Sequence, residues 1–367
     1  MIPYRAYKPL KSKKILTLDM EGYRDFKNEM VIPYLLGVYD GEKFYCFDGD
    51  FCIEDFFRCF VTKKYRGCIF YAHFGAIFDF ILLLDYLNKT DFKILPISQG
   101  SKIIKITISD KNNHRWYFCD TSALLPFGLD KLTKTFNVKY KKLEIIKKTD
   151  NYDSDLYNYY IKFPDLVIEY LKHDCIGLFE VLLKFKDEIL KSGGDMGLTI
   201  ASTSLKTYNH SYQSRSLFMC KRKYNDDMRQ AYFGGRTEIF RFYAPEIKDS
   251  YYYYYDVNSL YPFVMRNFRF PVSQPNIIEK PKLCDVVSND GITEAFINAP
   301  KDVYIPVLPS KIKVKYDKKL MFTIGNFHGY WDNALLKNAY DLNYKILPVK
   351  SYFFETDYIF KKYVDYF

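Results

Sequence analysis

The chain contains no Cys-x-x-Cys pair, and its eight cysteines and five histidines show no paired spacing of a four-ligand zinc site. A zinc module is therefore excluded. Cys46, Cys52, Cys59, Cys68, Cys119, Cys175, Cys220 and Cys284 read as reduced, mostly buried thiols of an intracellular protein. No apolar run approaches the ~20 residues of a membrane span. The start, Met1-Ile2-Pro3-Tyr4, has neither a secretory apolar core nor the Arg/Ser-rich character of a mitochondrial presequence. An organellar location would then require local synthesis. No internal repeat and no low-complexity tract occur beyond five consecutive tyrosines at 251–255, which argues against a solenoid.

What is present bounds the answer further. A length of 367 residues accommodates two or three domains with separate cores. With 48% apolar and 27% charged residues the composition is that of a soluble globular protein. Aromatics reach 19%. An AT-rich coding sequence explains most of that excess, because Lys, Asn, Ile, Tyr and Phe rise together; stacking platforms for unpaired bases are the functional alternative. A net charge of +10 and a pI near 8.9 favour a polyanionic partner. Basic clusters at Lys11–Lys14, Lys139–Lys142, Lys147-Lys148 and Lys221-Arg222-Lys223 could each be a solvated face. Scattered as they are, they suit a long contact track better than a tail.

Patterning predicts strands at Lys14–Met20, Val31–Tyr39 and Lys43–Phe47, with a tight turn at Asp40-Gly41. A helix is expected at Ile53–Phe60, a buried strand at Gly67–Ala72, and an apolar helix at Phe80–Leu87. Lys102–Ser109 and Trp116–Cys119 form a strand pair around Lys111-Asn112-Asn113. Pro164 starts a long helix that Ser192-Gly193-Gly194 stops near Leu190. Strands followed by helices packed around them predict an α/β (α+β) fold. Tyr232-Phe233-Gly234-Gly235-Arg236 reads as a paired-glycine turn, and Tyr251–Tyr255 as a buried strand ending on Asp256. Leu260-Tyr261-Pro262 reads as a turn, the segment from Pro271 to Pro300 as loop-rich, and Lys319–Phe367 as a small strand–helix–strand unit.

Acids stand at the ends of these elements. Asp19 and Glu21, two apart on a strand, point to one side. Asp79 opens a helix, and Asp174 shares a helical face with Tyr170. Four carboxylates from separate elements suit two divalent cations, Mg²⁺ or Mn²⁺, clamping a phosphoryl group, with a Tyr orienting the attacking water. Each piece alone has a bland counterpart: Asp40-Gly41-Glu42 repeats the Asp-x-Glu spacing in a hairpin turn, and Tyr252/Asp256 repeats the Tyr-x-x-x-Asp spacing. The ordered set is the informative feature.

That set resembles the three exonuclease motifs of family B DNA polymerases. Asp19-Met20-Glu21 matches the first, His73 through Phe78-Asp79 the second, and Tyr170 with Asp174 the third. Asp120-Thr121-Ser122 through Leu132 is similar to the family's primer-gripping segment, and Tyr232-Phe233-Gly234-Gly235 to the linker motif between its exonuclease and polymerase halves. Asp256-Val257-Asn258-Ser259-Leu260-Tyr261-Pro262 resembles polymerase motif A, and 305–367 resembles the first insertion of the protein-primed branch.

The resemblance implies a ribonuclease H-like 3′–5′ exonuclease domain at 1–190, a linker at 191–245, the start of a palm at 246–275 and a terminal-protein-contacting insertion at 276–367. It implies metal binding by Asp19, Glu21, Asp79, Asp174 and Asp256, with Tyr170 assisting. His73, Phe74, Thr121, Tyr232, Gly234, Gly235 and Arg236 would contact DNA; Val257, Leu260 and Tyr261 would contact the incoming nucleotide. The implied partners are a single-stranded 3′ end, primer-template DNA, deoxynucleotides and a terminal protein. The implied settings are an organelle-encoded element, a cytoplasmic linear plasmid or a virus.

The sequence departs from the family pattern at three points. Phe74 stands where the family has Asn, and Ser122 where it has Leu. Motifs B and C are not found between motif A and Phe367, so Asp256 is expected to lack its carboxylate partner. The chain is accordingly expected to be an N-terminal portion with a complete exonuclease set and an incomplete polymerase site. An idle remnant that only binds DNA or a terminal protein, and a stand-alone exonuclease, are the alternatives.

Overall fold

Residues 13–25, 30–146, 152–217, 219–246, 248–314 and 317–367 are described by the structure, a computed structural model. Of the basic clusters, Lys11, Lys147 and Lys148 lie outside the described residues. The chain divides into two compact units, Ala6–Ser211 and Tyr212–Phe367.

The first unit is built on seven strands. They are β1 (Ile15–Asp25), β2 (Met30–Tyr39), β3 (Phe44–Asp48), β4 (Ile69–Ala72), β5 (Lys93–Gln99), β6 (Lys102–Ser109) and β7 (Arg115–Asp120), arranged β3-β2-β1-β4-β7-β6-β5. β1, β4 and β7 run parallel, and the flanking strands are antiparallel to their neighbours. Alternation along β1 sends Leu16, Leu18 and Met20 into one core. Helices α1 (Cys52–Phe60) and α2 (Asp79–Leu87) cover that face. Phe56, Phe60, Phe70 and Phe118 are fully buried there, with Phe70 and Phe118 stacked at 5.1 Å. Part of the phenylalanine excess is therefore core packing.

The other face carries α3 (Leu129–Thr135), α4 (Tyr152–Lys162) and α5 (Pro164–Lys191), followed by α6 (Ile200–Thr207). Pro164 occupies the first turn of α5, where its missing N–H costs nothing, and Gly193 at φ +78° ends the run. β5, α3 and α4 were not expected. β5 is an edge strand containing Pro96, a residue that masks strand character.

One glycine fixes the approach of a segment to α5. A Cβ on Gly177 would lie 2.6 Å from the Tyr140 carbonyl oxygen, so only glycine lets 139–142 lie against the helix. Gly177→Ala should destabilise the chain by about 1–3 kcal/mol despite alanine's higher helix propensity. Thermal unfolding checks this; an unchanged or raised midpoint would show that the segment can yield.

The second unit holds a four-stranded antiparallel sheet. After α7 (Arg222–Gln230), α8 (Leu260–Asn267) and the short β8 (Phe270–Pro271) come β9 (Asn276–Glu279), α9 (Leu283–Ser288) and β10 (Gly291–Ala299). β11 (Pro309–Val314) and β12 (Asp317–Phe322) pair with each other. β13 (Gly325–Asp332), α10 (Asn333–Asp341), β14 (Lys345–Phe353), β15 (Thr356–Asp357) and α11 (Lys361–Tyr366) complete it, with sheet order β13-β10-β14-β9. Trp331, Leu336 and Ala295 form its core.

Three expectations are corrected in this unit. The segment before Pro300 carries β9, α9 and β10 rather than loop alone. Tyr251–Tyr255 is not a strand: Tyr254 is 95% exposed, and no described strand lies alongside to pair its backbone, without which β propensity does not suffice. Leu260-Tyr261-Pro262 opens helix α8 rather than closing a turn, with proline in the first turn where no N–H is needed. No helix among the described residues is long and apolar enough to cross a membrane.

Candidate active site

β1 pairs with β4 only through Ile15–Thr17. Asp19 and Glu21 thus sit past the parallel contact though still inside the eleven-residue strand, facing one cleft of about 370 Å³. Asp79, the first residue of α2, and Tyr170 and Asp174, one turn apart on α5, face the same cleft. The four acids predicted from sequence are brought together.

Their proximity has an electrostatic cost. Burial, then the negative charges of Asp79, Asp174 and Glu21, hold Asp19 well above the carboxylate range. Glu21 is pushed up to about 8, chiefly by burial, against the opposing pull of Lys142. Burial pushes Asp79 to about 7 even though backbone N–H groups of Asp79 and Met20 stabilise its charge. Asp174 is also raised by burial. Among the described residues Asp79 Oδ1 and Asp174 Oδ1 are buried without a hydrogen-bond partner, an expensive arrangement for carboxylates.

Lys142 is the functional residue that sequence reasoning missed. It was one charge in a basic cluster, yet its ammonium pairs with Asp174 Oδ2 and donates to the Tyr170 hydroxyl at 2.7 Å. Burial lowers its pKa, but the carboxylates of Asp174, Asp19 and Glu21 outweigh that and leave it raised. Nothing in the spacing of Lys139–Lys142 marks this lysine; only the close approach at Gly177 brings it in. Asp153, at the start of α4, lines the cleft too and adds to the upward push on Glu21.

Around the rim, His73 is fixed at both nitrogens. Nε2 lies 2.8 Å from the Phe127 carbonyl oxygen, which can only accept, and Nδ1 lies 2.8 Å from Thr121 Oγ1. Phe74 adopts a left-handed backbone, φ +61° and ψ +19°, unusual for a bulky residue, and its ring meets His73 edge-on at the cleft. Ser122, where the family has Leu, donates its N–H and its hydroxyl to Asp120 at 2.9 and 2.6 Å. That keeps the buried Asp120 carboxylate out of the cleft set.

An all-oxygen donor set with two unpartnered carboxylate oxygens fits a hard divalent cation. Among the described residues, no three of these side chains stand close enough to share one ion.

The predicted polymerase residues lie in the second unit. Asp256 is exposed, and Val257, Leu260 and Tyr261 are 47–82% exposed. Tyr232–Arg236 has no turn geometry. It is an irregular stretch tied down at both ends: the Arg236 guanidinium donates to the Pro306 carbonyl oxygen at 2.7 Å and lies 4.2 Å from the Phe322 ring, while Lys311 donates to the Tyr232 carbonyl oxygen at 3.0 Å. Those bonds, rather than the glycine pair, set its path.

Residues 143–367 match the family described as DNA polymerase type B, organellar and viral. A probable DNA polymerase of Neurospora intermedia is 26% identical over 96% of this chain and 43% of its own length. The DNA-directed DNA polymerase of Enterobacteria phage PRD1 is 30% identical over 74% of this chain and 43% of its own length. The chain thus spans less than half the length of these relatives. Phi29 DNA polymerase, solved with primer-template DNA and incoming nucleotide substrates, superposes with a TM-score of 0.72 at 18% identity, covering 97% of this chain and 64% of that one. The fold expected from sequence is borne out by that likeness. The family match covers well over half of the sequence: the chain belongs to the type B DNA polymerases of organelles and viruses.

Proposed function

We propose that this chain is the exonuclease-bearing portion of a protein-primed DNA-directed DNA polymerase, and that its acidic cleft removes nucleotides from a single-stranded 3′ end. The observation that carries the reading is the pair of buried, partnerless oxygens on Asp79 and Asp174 within four mutually repelling carboxylates. Such a cluster opposes folding and is explained by chemistry rather than packing.

In the reaction a water oxygen bonds to the terminal phosphorus and the bond to the neighbouring 3′ oxygen breaks. The products are a nucleoside 5′-monophosphate and a strand one residue shorter. A divalent cation, Mg²⁺ or Mn²⁺, would be held by Asp19, Glu21, Asp79 and Asp174 and would supply charge neutralisation at the phosphate. Lys142 donates into the Tyr170 phenol oxygen, which makes the O–H a stronger donor toward the attacking water. With no cation bound, burial holds Glu21 up to about 8, so it rests protonated at neutral pH and would give up that proton on joining the cation's ligand set. His73, pinned by Thr121 and Phe127, and the Phe74 ring at the cleft mouth would hold the terminal nucleotides.

The remaining assignments rest on the family pattern. The exonuclease domain is 1–190, the linker 191–245, the palm start 246–275 and the insertion 276–367. Tyr232, Gly234, Gly235 and Arg236 would follow DNA between the two halves. In the polymerase half Asp256 would bind metal, and Val257, Leu260 and Tyr261 would meet the incoming deoxynucleotide. A terminal protein would dock on the insertion. The setting is intracellular, in an organelle, a cytoplasmic linear plasmid or a virus.

One observation favours a binding-only reading: no three acids share one point among the described residues, and Lys142 holds one Asp174 oxygen. The deciding experiment incubates the chain with a single-stranded oligonucleotide and Mg²⁺ or Mn²⁺ and follows mononucleotide release. Metal-dependent release supports the cleavage reading, and tight binding without release overturns it.

A further inference from the structure

The acids of the first unit lie toward the C-terminal ends of β1 and β4. Toward the N-terminal end of β1 lysines are held over tyrosine rings, Tyr117 on one face of the sheet and Tyr45 and Tyr65 on the other, with the Lys105 backbone level with Thr17. Lys13 and Lys105 place Nζ 3.5 and 4.6 Å from the centroid of Tyr117. Round the strand ends, Lys64 sits 4.9 Å from the Tyr65 ring, and Lys43 lies 5.3 Å from the Tyr45 ring.

Carboxylates do not neutralise these four ammonium groups. Among the described residues none of the four has an ion pair. Of the nearby acids, Asp40 is engaged by Lys14 and two backbone N–H groups while its charge also reaches Lys64, Asp110 pairs with His114 and Asp91 with Lys111; Glu42, beside Lys43, has no ion pair among the described residues. Burial pushes the Cys119 thiol up to about 12, and the first charges opposing that push are Lys105 and Lys13, which places both ammoniums beside the same strand. A ring face orients an ammonium without consuming its N–H donors. The rim is thus a set of pre-positioned cations without ion pairs among the described residues, Lys64 also feeling the charge of Asp40.

We propose that this rim binds the phosphodiester backbone of single-stranded DNA, away from the 3′ end. The inference rests on the proposed cleavage reading for its polyanion. Without a cation the cleft of four carboxylates repels phosphate, so cations elsewhere would help to hold the strand. From Lys13 to Asp19 is six residues of extended chain, roughly 20 Å, beyond the span of a dinucleotide.

The test measures binding of a fluorescent 20-mer and a dinucleotide by anisotropy, with metal chelated so that nothing is cut. Lys13→Gln/Lys64→Gln/Lys105→Gln is expected to weaken 20-mer binding roughly tenfold at about 50 mM salt. The slope of log K against log salt should become shallower by about 2, since each lost single-strand phosphate contact removes about 0.7. Dinucleotide binding should not change. An unaltered slope and affinity for the 20-mer overturns the proposal, as does a wild-type chain that binds both lengths equally. Should the triple variant fail to fold, Lys43→Gln/Lys64→Gln leaves the Tyr117 pair intact, and its slope should fall by about 1.4. Strand binding that depends on these lysines without any nucleotide release would remove the cleavage reading and leave the rim standing.

Discussion

Asp19→Ala/Glu21→Ala abolishes mononucleotide release, lowering the rate on the order of 10³-fold or more, while single-stranded DNA binds at least as tightly as before. The two halves of this expectation share one cause. Both side chains come from β1 and face the cleft in which phosphorus would be attacked. Their removal takes away half the oxygen donors available for a cation, and phosphoryl transfer depends on charge neutralisation and positioning rather than on covalent help. The same removal deletes two negative charges that repel the DNA backbone. Time courses on a 3′-labelled strand, with anisotropy in chelator, report both. Release within tenfold of wild type would mean that the acids are structural.

With metal chelated, the chain loses stability as pH rises from about 5 to 8, and Glu21→Gln restores much of it at pH 8. The sign follows from the direction of the shifts. Glu21 is raised from 4.5 to about 8 and Asp79 from 3.8 to about 7, so the folded chain binds more protons than the unfolded one in that window and protonation favours folding. Above pH 8 the full penalty applies; below the unfolded values it vanishes. At about 1.4 kcal/mol per pKa unit, Glu21 contributes on the order of 3–5 kcal/mol, an upper bound because water enters the cleft. Thermal midpoints of both chains at pH 5 and pH 8 check this, and Mg²⁺ should raise the midpoint more at pH 8. Stability that climbs with pH in chelator would sink the account.

Signals in the first unit were legible because they are local. The apolar run Val31–Tyr39, the Asp40-Gly41 turn and proline at the head of α5 each act within a few residues. The acid set was legible because order along the chain survives where exact spacing does not. Lys142 and Asp153 were not legible, since their place in the cleft depends on how 139–142 and α4 lie against α5, a matter of long-range packing. Tyr251–Tyr255 misled for the complementary reason: the β propensity of aromatic residues describes what a segment can do beside a partner strand, and no described strand is there. The Tyr232–Arg236 stretch likewise takes its path from Pro306 and Lys311, about seventy residues or more away.

The distribution of the cleft acids along the chain also dictates when they meet. Asp19 and Glu21 reside in a strand whose antiparallel pairing with β2 is local, whereas Thr17 Oγ1 donates to the Cys175 carbonyl oxygen at 2.7 Å across 158 residues. Contacts of that separation close late in folding. Asp19, Glu21 and Asp79 can thus meet when β1, β4 and α2 assemble, and the Asp174 charge joins them only when α5 docks. The repulsion that Asp174 adds raises a late barrier, so metal-free refolding should be faster at pH 5.5 than at pH 8, and Asp174→Asn should shrink the difference. Stopped-flow refolding at the two pH values decides it, and equal rates would place the meeting of the acids before the barrier.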